Sequence, residues 1–281
     1  MLDIGTRMKD NYERSSKSYL TRRTPAIIRL DGKSFHTFTR NLEKPFDESL
    51  RWCFCVSVYE MMNKFGIQGA KVAYTQSDEV SILLTDYDRL NTCAWFDGNI
   101  QKIASVSASI FTACFNKWFA FYFKYELNSE ISLATFDARV FNIPKEEITN
   151  YFLWRQIDWH RNSVSMLAQN RYSHKSLQGL NVEQMKQKLE DDNIIWENLY
   201  PYWKHGSYIF NNSILKGCNI YSFDMHNFRE YFNQFGYPIE EADPNLNTTP
   251  YTTSYQIPDE SSNDVYVSKV PPVTNKNIFM S

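Results

Sequence analysis

Cysteine chemistry, net charge of either sign and membrane-length apolar runs are all missing from this chain of 281 residues. Its five cysteines (Cys53, Cys55, Cys93, Cys114, Cys218) form no CxxC pair and no disulfide framework. That excludes the common zinc modules and a stapled secreted scaffold. Cys53 and Cys55 fall in a helical pattern, where i and i+2 point apart, and read as reduced thiols. The net charge of −2 carries no bulk basic signature for nucleic acid, so any such partner must be held by local patches. The stretch 100–123 comes nearest to a bilayer span, but Gln101, Lys102, Asn116 and Lys117 interrupt it. With no leader-like segment either, the expectation is a cytoplasmic protein with no membrane partner.

What is present is apolar and aromatic. Residues of apolar type make up 43%, enough for one large domain or two smaller ones with a core. Aromatics reach 16%, and packing is the default use for most of them, with base stacking the alternative. Between Met1 and Arg40 nine Lys/Arg stand against four Asp/Glu, a local excess of about +5. Lys9, Arg14, Lys17, Arg22 and Arg23 form either a candidate patch for a polyanion or an ordinary solvated face.

Two acidic sites stand out. Asp31 closes the apolar run Ile27-Ile28-Arg29-Leu30-Asp31-Gly32, and Asp78-Glu79 sit in Tyr74-Thr75-Gln76-Ser77-Asp78-Glu79-Val80-Ser81. Singly, each is an ordinary turn signal. If the flanking strands pair, however, three carboxylates converge. Two such anions about 4 Å apart repel by roughly 4 kcal/mol at an effective dielectric near 20. A divalent cation relieves that repulsion, and hard carboxylate oxygens suit Mg²⁺. The pattern therefore points to metal-assisted phosphoryl chemistry.

The coarse element pattern supplies the convergence. Residues 26–30 read as a buried strand. Asp47 caps a helix running to about Phe65, with Leu50, Phe54, Val58, Met61 and Phe65 on one face and Gly66 as a stop. Residues 70–74 and 80–85 read as strands joined by a turn over 75–79. A second helix fits 99–122, with Ile100, Ile103, Val106, Ile110, Cys114 and Trp118 repeating on one face. A strand over 132–143 ends at Pro144. The order is β-α-β-β-α-β, the split βαβ arrangement of ferredoxin-like folds on which polymerase palms are built. The expected class is α+β: a palm-like catalytic domain over 1–144, a helical extension over 145–239 and a flexible acidic tail over 240–281. The extension should hold a long helix over 145–169, a capping box at Asn181-Val182-Glu183-Gln184 opening a helix to about Leu189, a hairpin of 206–210 with 213–215, and a short helix over 224–235.

Ile28-Arg29-Leu30-Asp31-Gly32-Lys33-Ser34-Phe35-His36, Lys44-Pro45-Phe46-Asp47 and Gln76-Ser77-Asp78-Glu79 follow one another along the chain. Lys102-Ile103-Ala104-Ser105, Phe136-Asp137-Ala138-Arg139 and the run from Tyr151 to Asn162 come next. This ordered string resembles the tRNA-His guanylyltransferase family over roughly residues 5–210. The resemblance implies addition of nucleotides to the 5′ end of tRNA in the 3′–5′ direction. The 5′-phosphate is first activated by a nucleoside triphosphate, usually ATP, with release of pyrophosphate. The 3′-hydroxyl of GTP or another NTP then attacks the activated phosphate and releases AMP. The resemblance also implies two Mg²⁺ ions and a homotetramer.

Carried over by motif, Asp31, Asp78 and the Gly32 carbonyl become metal ligands, and Glu79 an acidic position beside them, as ligand or neighbour. Lys33, Ser34, Phe35, His36, Lys44, Asp47, Ser77 and Lys102 map to the nucleotide site. Arg139, Arg155, His160 and Asn162 map to tRNA or substrate binding. One departure is informative. Members that place the extra guanylate on tRNA-His carry a His-Ile-Asn-Asn-Leu-Tyr-Asn type run, whereas this chain reads His160-Arg161-Asn162-Ser163-Val164-Ser165-Met166. That favours the branch that restores missing 5′ nucleotides against the opposite strand. A nucleotidyl cyclase or conventional palm polymerase on the same frame, and a catalytically silent RNA-binding protein, are the competing readings.

Overall fold

The structure, a computed structural model, describes residues 3–124, 133–210, 219–223 and 252–256. Its elements run α1 (Ile4–Met8), β1 (Ala26–Gly32), α2 (Phe35–Phe38), α3 (Glu48–Asn63), β2 (Ala70–Gln76), β3 (Glu79–Leu84), α4 (Ile100–Phe123), β4 (Phe136–Asn142), α5 (Ile148–Arg171), α6 (His174–Leu177), α7 (Val182–Asp191), α8 (Pro201–His205), β5 (Ser207–Phe210), β6 (Asn219–Phe223) and β7 (Thr252–Gln256). The strands form one sheet in the order β4-β1-β3-β2-β5-β6-β7, every neighbouring pair antiparallel. Its first four strands carry the expected βαββαβ palm order, and β5–β7 widen it beyond β2.

The two faces of the sheet are covered differently. On one, Ile28, Leu30, Val80 and Ile82 pack with Phe54, Val58 and Met61 of α3 and Phe111 and Phe115 of α4. On the other, Ile27, Leu83, Tyr74 and Tyr208 pack with Ile148, Tyr151 and Phe152 of α5. Burial on both faces explains why the strands read as continuous apolar runs rather than alternating ones. A third cluster holds α7 and α8 against the far half of α5 through Leu167, Leu189, Trp196 and Trp203.

Local signals explain most boundaries. Asp47 accepts from the Leu50 N–H and Asn99 from the Lys102 N–H, each satisfying an orphan donor at a helix start. The reciprocal capping box of Asn181 and Gln184 opens α7. Other expectations need correction. The buried stripe of α4 includes Ile103, Cys114 and Trp118 of the expected face, but Ser107, Phe111, Phe115 and Phe119 complete it in place of Ile100, Val106 and Ile110. Ser107 tolerates burial because its hydroxyl bonds the Ile103 carbonyl at 2.7 Å. The fourth strand starts at Phe136 rather than 132. Strand β5 pairs with β2 and β6; the expected partner 213–215 and the helix over 224–235 lie outside the described residues. The stretch read as a tail contributes β7, whose pairing with β6 was hidden by its distance in sequence.

Candidate active site

Strand β1 delivers Asp31 and Gly32 to the open end of the sheet, and the β2–β3 hairpin delivers Ser77 and Asp78 to the same place. The turn is tight: Gln76 pairs with Glu79, leaving Ser77 and Asp78 as its tip, with Ser77 at φ 49°. The Gly32 N–H donates to the Asp78 carbonyl at 3.1 Å and locks the strand end to the hairpin tip. A Cβ at Gly32 would stand 2.5 Å from the Phe35 ring and 3.0 Å from the Asp78 Cβ, so only glycine allows this approach.

Asp31 lies opposite both Glu79 and Asp137 in register, so all three share one face. Burial pushes the Asp78 carboxyl above the usual carboxylate range. The Ser77 hydroxyl pulls the other way and the charge of Asp31 adds to the rise. This is a pair of anions short of positive charge. Arg139 offers little, standing 3.8 Å from Asp31 and 3.9 Å from Asp137 while largely solvent-exposed.

Glu79 behaves differently. Arg29 donates to its Oε2 at 2.7 Å, and Arg155 stands with Nε 3.3 Å from its Oε1 as an ion pair rather than an aligned hydrogen bond. Burial holds its carboxyl above the usual range; Arg155 and then Arg29 pull the other way without restoring it, and the charge of Asp31 adds to the rise. Among the described residues no three His, Cys, Asp or Glu side chains come together in a metal-holding group. Asp31 thus stands by both other carboxylates, opposite Glu79 in register and adding its charge to the rise of Asp78 and of Glu79, while Glu79 is also held by the two arginines.

Beside the hairpin opens a cleft of about 470 Å³, lined by Phe35, His36, Lys44, Asp47, Ser77 and Asp78 together with Phe46, Arg51, Trp159, Trp203 and Ser207. Asp78, Lys44 and His36 in the lining, with stacked Phe46 and Trp203 (4.8 Å, 12°), suit a molecule with both a polyanionic and a flat apolar part.

Comparison with known proteins agrees with that chemistry. The family model described as tRNAHis guanylyltransferase matches residues 5–144. A solved structure titled as a bacterial tRNA(His) guanylyltransferase-like protein in complex with ATP is 42% identical, with a TM-score of 0.75 over 84% of this chain and 100% of that one. Its counterpart in complex with GTP is 38% identical, with a TM-score of 0.66 over 84% and 99%. The chain belongs to the tRNA-His guanylyltransferase family. Among curated relatives, the probable tRNA(His) guanylyltransferase of Dictyostelium discoideum is 31% identical over 148 residues, 49% of this chain and 52% of that protein. The chain thus spans about half the length of that curated relative. Family membership makes the protein a nucleotidyltransferase.

The family's motif residues fall into three groups. Phe35, His36, Lys44, Asp47, Ser77 and Asp78 meet at the cleft. Within it Phe35 is core, touching Phe38, Phe54, Phe115 and Phe136, and Asp47 is occupied by the N–H groups of Leu50 and Glu43. Both shape the guanylyltransferase cleft rather than offer free polar atoms to it. Lys33, Ser34 and Lys102 are outside the cleft lining: the Lys33 N–H bonds the Thr135 carbonyl, and the Lys102 ammonium lies 4.6 Å from the Phe96 ring. The α5 group forms the third. Arg155 is buried on Glu79 and donates to Asp158 at 2.6 Å, and Asn162 donates to Asp158 at 3.4 Å. His160 stacks on Trp196 at 4.4 Å and 8°, and burial first, then Lys186, pushes it down to about 4.

Arg51 was missed. Burial works against its charge, yet Glu48 at 2.9 Å holds it firmly protonated. It donates to the Ser207 hydroxyl at 3.3 Å in the cleft wall. An arginine on the core-facing side of an amphipathic helix was the available signal.

Proposed function

We propose that this chain is a Mg²⁺-dependent nucleotidyltransferase that restores missing nucleotides at the 5′ end of tRNA, 3′ to 5′, reading the facing strand as template. The observation that carries the reading is the Asp31–Asp78 pair, joined through the Gly32–Asp78 bond, with Asp78 lining an aromatic cleft that also holds Lys44 and His36. The donor set fits Mg²⁺: two carboxylates, one of them destabilised as an anion by burial and by its neighbour, and the Gly32 carbonyl. Asp31, Asp78 and Gly32 would hold two such ions. Divalent ions at this position supply neutralisation of triphosphate oxygens and activation of the attacking hydroxyl.

The chain's own groups do the remaining work. The cleft admits the base of ATP or of the incoming GTP or other NTP between apolar walls, while Lys44 and His36 in the lining meet its phosphates. Ser77 orients Asp78 through a 3.0 Å hydrogen bond. Glu79 fixes the end of β3 to α5 through Arg155, so the sheet edge and the helix move as one body. Arg139, 57% exposed beside Asp31, is placed to meet the 5′-phosphate of the RNA.

The proposed working unit is a homotetramer in the cytoplasm, with the RNA path shared between subunits. The N-terminal basic residues contribute less than their number suggests, since Arg14, Lys17 and Arg22 are paired with Asp10, Glu13 and Asp86. No helix among the described residues is long and apolar enough to cross a membrane.

The test incubates the protein with 5′-truncated tRNA, ATP, Mg²⁺ and labelled NTPs. The expected result is label at the 5′ end, chosen by the facing base. Growth at a 3′ end would assign a conventional polymerase, a cyclic nucleotide without RNA a cyclase, and binding without transfer a silent RNA-binding protein.

A further inference from the structure

Helix α5 carries an aromatic side chain that neither the core nor the cleft uses. Trp154 is 52% exposed, and Ile157, 48% exposed, follows it on the same helix face. The indole is not merely an apolar residue on the surface. The Arg155 guanidinium lies 4.0 Å from its ring centroid and that of Arg29 5.9 Å, with Tyr151 edge-on at 5.9 Å. Arg161, two turns further along and 64% exposed, extends the cationic margin. Arg29 sits on β1 two residues before Asp31 and on the same face of the sheet, so one arginine side chain links the indole to the strand that carries Asp31.

We propose that Trp154 is a stacking platform for an unpaired nucleobase at the acceptor end of the RNA. The inference rests on tRNA being the substrate, as proposed above. Three features select a base rather than a second copy of this chain. The Arg155 guanidinium lies 4.0 Å from the ring centroid, close enough to hold the indole in place. The surround is cationic, with Arg29, Arg155 and Arg161 against Glu79 and Asp158. The platform is linked through Arg29 to the strand that carries Asp31, at whose end the proposed reaction would present an unpaired template nucleotide when 5′ residues are missing. Aromatic faces flanked by arginine are how single strands are held without sequence preference, which suits a repair enzyme that meets any base.

The experiment measures equilibrium binding of 5′-truncated tRNA to the full chain without NTP. Trp154→Ala is expected to weaken binding roughly 5- to 100-fold, Trp154→Leu to weaken it equally, and Trp154→Phe to stay within about threefold of the parent. The KM for ATP is expected to be unchanged in all three. An abasic nucleotide facing the gap is expected to weaken the parent by the same factor and to leave Trp154→Ala unaffected. Parental binding by Trp154→Leu, an abasic penalty equal in both proteins, or a smaller molar mass for Trp154→Ala would overturn the inference, the last assigning the face to a second copy. Nucleotide transfer with parental Trp154→Leu binding refutes this inference alone. The expected binding pattern without transfer refutes the proposed reaction alone.

Discussion

Glu79 and Arg155 meet 3.3 Å apart beneath α5, and Arg29 closes on the other carboxylate oxygen at 2.7 Å. Glu79→Ala leaves the partly buried Arg29 guanidinium without its anion and the buried Arg155 with Asp158 alone. The expected loss is about 3–5 kcal/mol of stability, read as a lower urea midpoint. Asp31→Asn, at a partly exposed edge, is expected to change stability by less than about 1 kcal/mol while abolishing transfer. Equal stability of the two variants would show that Glu79 anchors nothing.

Asp78 carries the opposite sign. Its folded-state pKa lies above its unfolded value, because burial and then Asp31 disfavour the anion. The favourable protonated form is therefore present at low pH and lost as pH rises through the raised pKa. In metal-free protein, Asp78→Asn is expected to be more stable than the parent at pH 7. The gap should close towards pH 4. Saturating Mn²⁺ should stabilise the parent and leave the variant unmoved, and transfer should fall at least about 100-fold. Thermal melts across pH with and without metal make the check.

Gly32→Ala tests the contact that brings the two aspartates together. Its methyl group would collide with the Phe35 ring and press on Asp78. The expected cost is about 1–3 kcal/mol of stability, with a loss in both kcat and ATP binding, because the hairpin tip and the Phe35 ring of the cleft wall both have to shift. A variant with parental kcat would show that this approach is not needed.

His160 and His205 are held neutral by burial, with pKa values pushed down to about 4 and about 3. Both folded values lie below the unfolded one. Their stabilising contribution is therefore present above about pH 6.5 and lost as pH falls towards 4 and 3. Hydrogen exchange should show α5 and α8 opening across that window before the β1–β3 core does. His160 should not titrate by NMR between pH 6 and 8, so it is not a general acid or base at neutral pH.

Much of the site was legible because its signals are local. Asp31-Gly32 closes an apolar run, Ser77-Asp78 interrupts another, and Asp47 and Asn99 stand where capping side chains must stand. The βαββαβ order followed from these. What could not be read depends on partners far along the chain. The clamp on Glu79 needs Arg155 from another element, so three acidic residues looked alike when one of them is also tied to a buried arginine. The stripe of α4 was misread in part because a serine satisfied by its own helix can be buried. Widening of the sheet by β5–β7 depends on pairing across long separations that no local pattern encodes.

The central claim is that Asp31 and Asp78, and not Glu79, grip the catalytic cations. Anomalous diffraction from crystals soaked in Mn²⁺ with a nucleoside triphosphate tests it. The account predicts Mn²⁺ peaks within bonding distance of both aspartates and the Gly32 carbonyl, with Glu79 still on Arg29 and Arg155. Peaks on Glu79, or none between the aspartates, would contradict it.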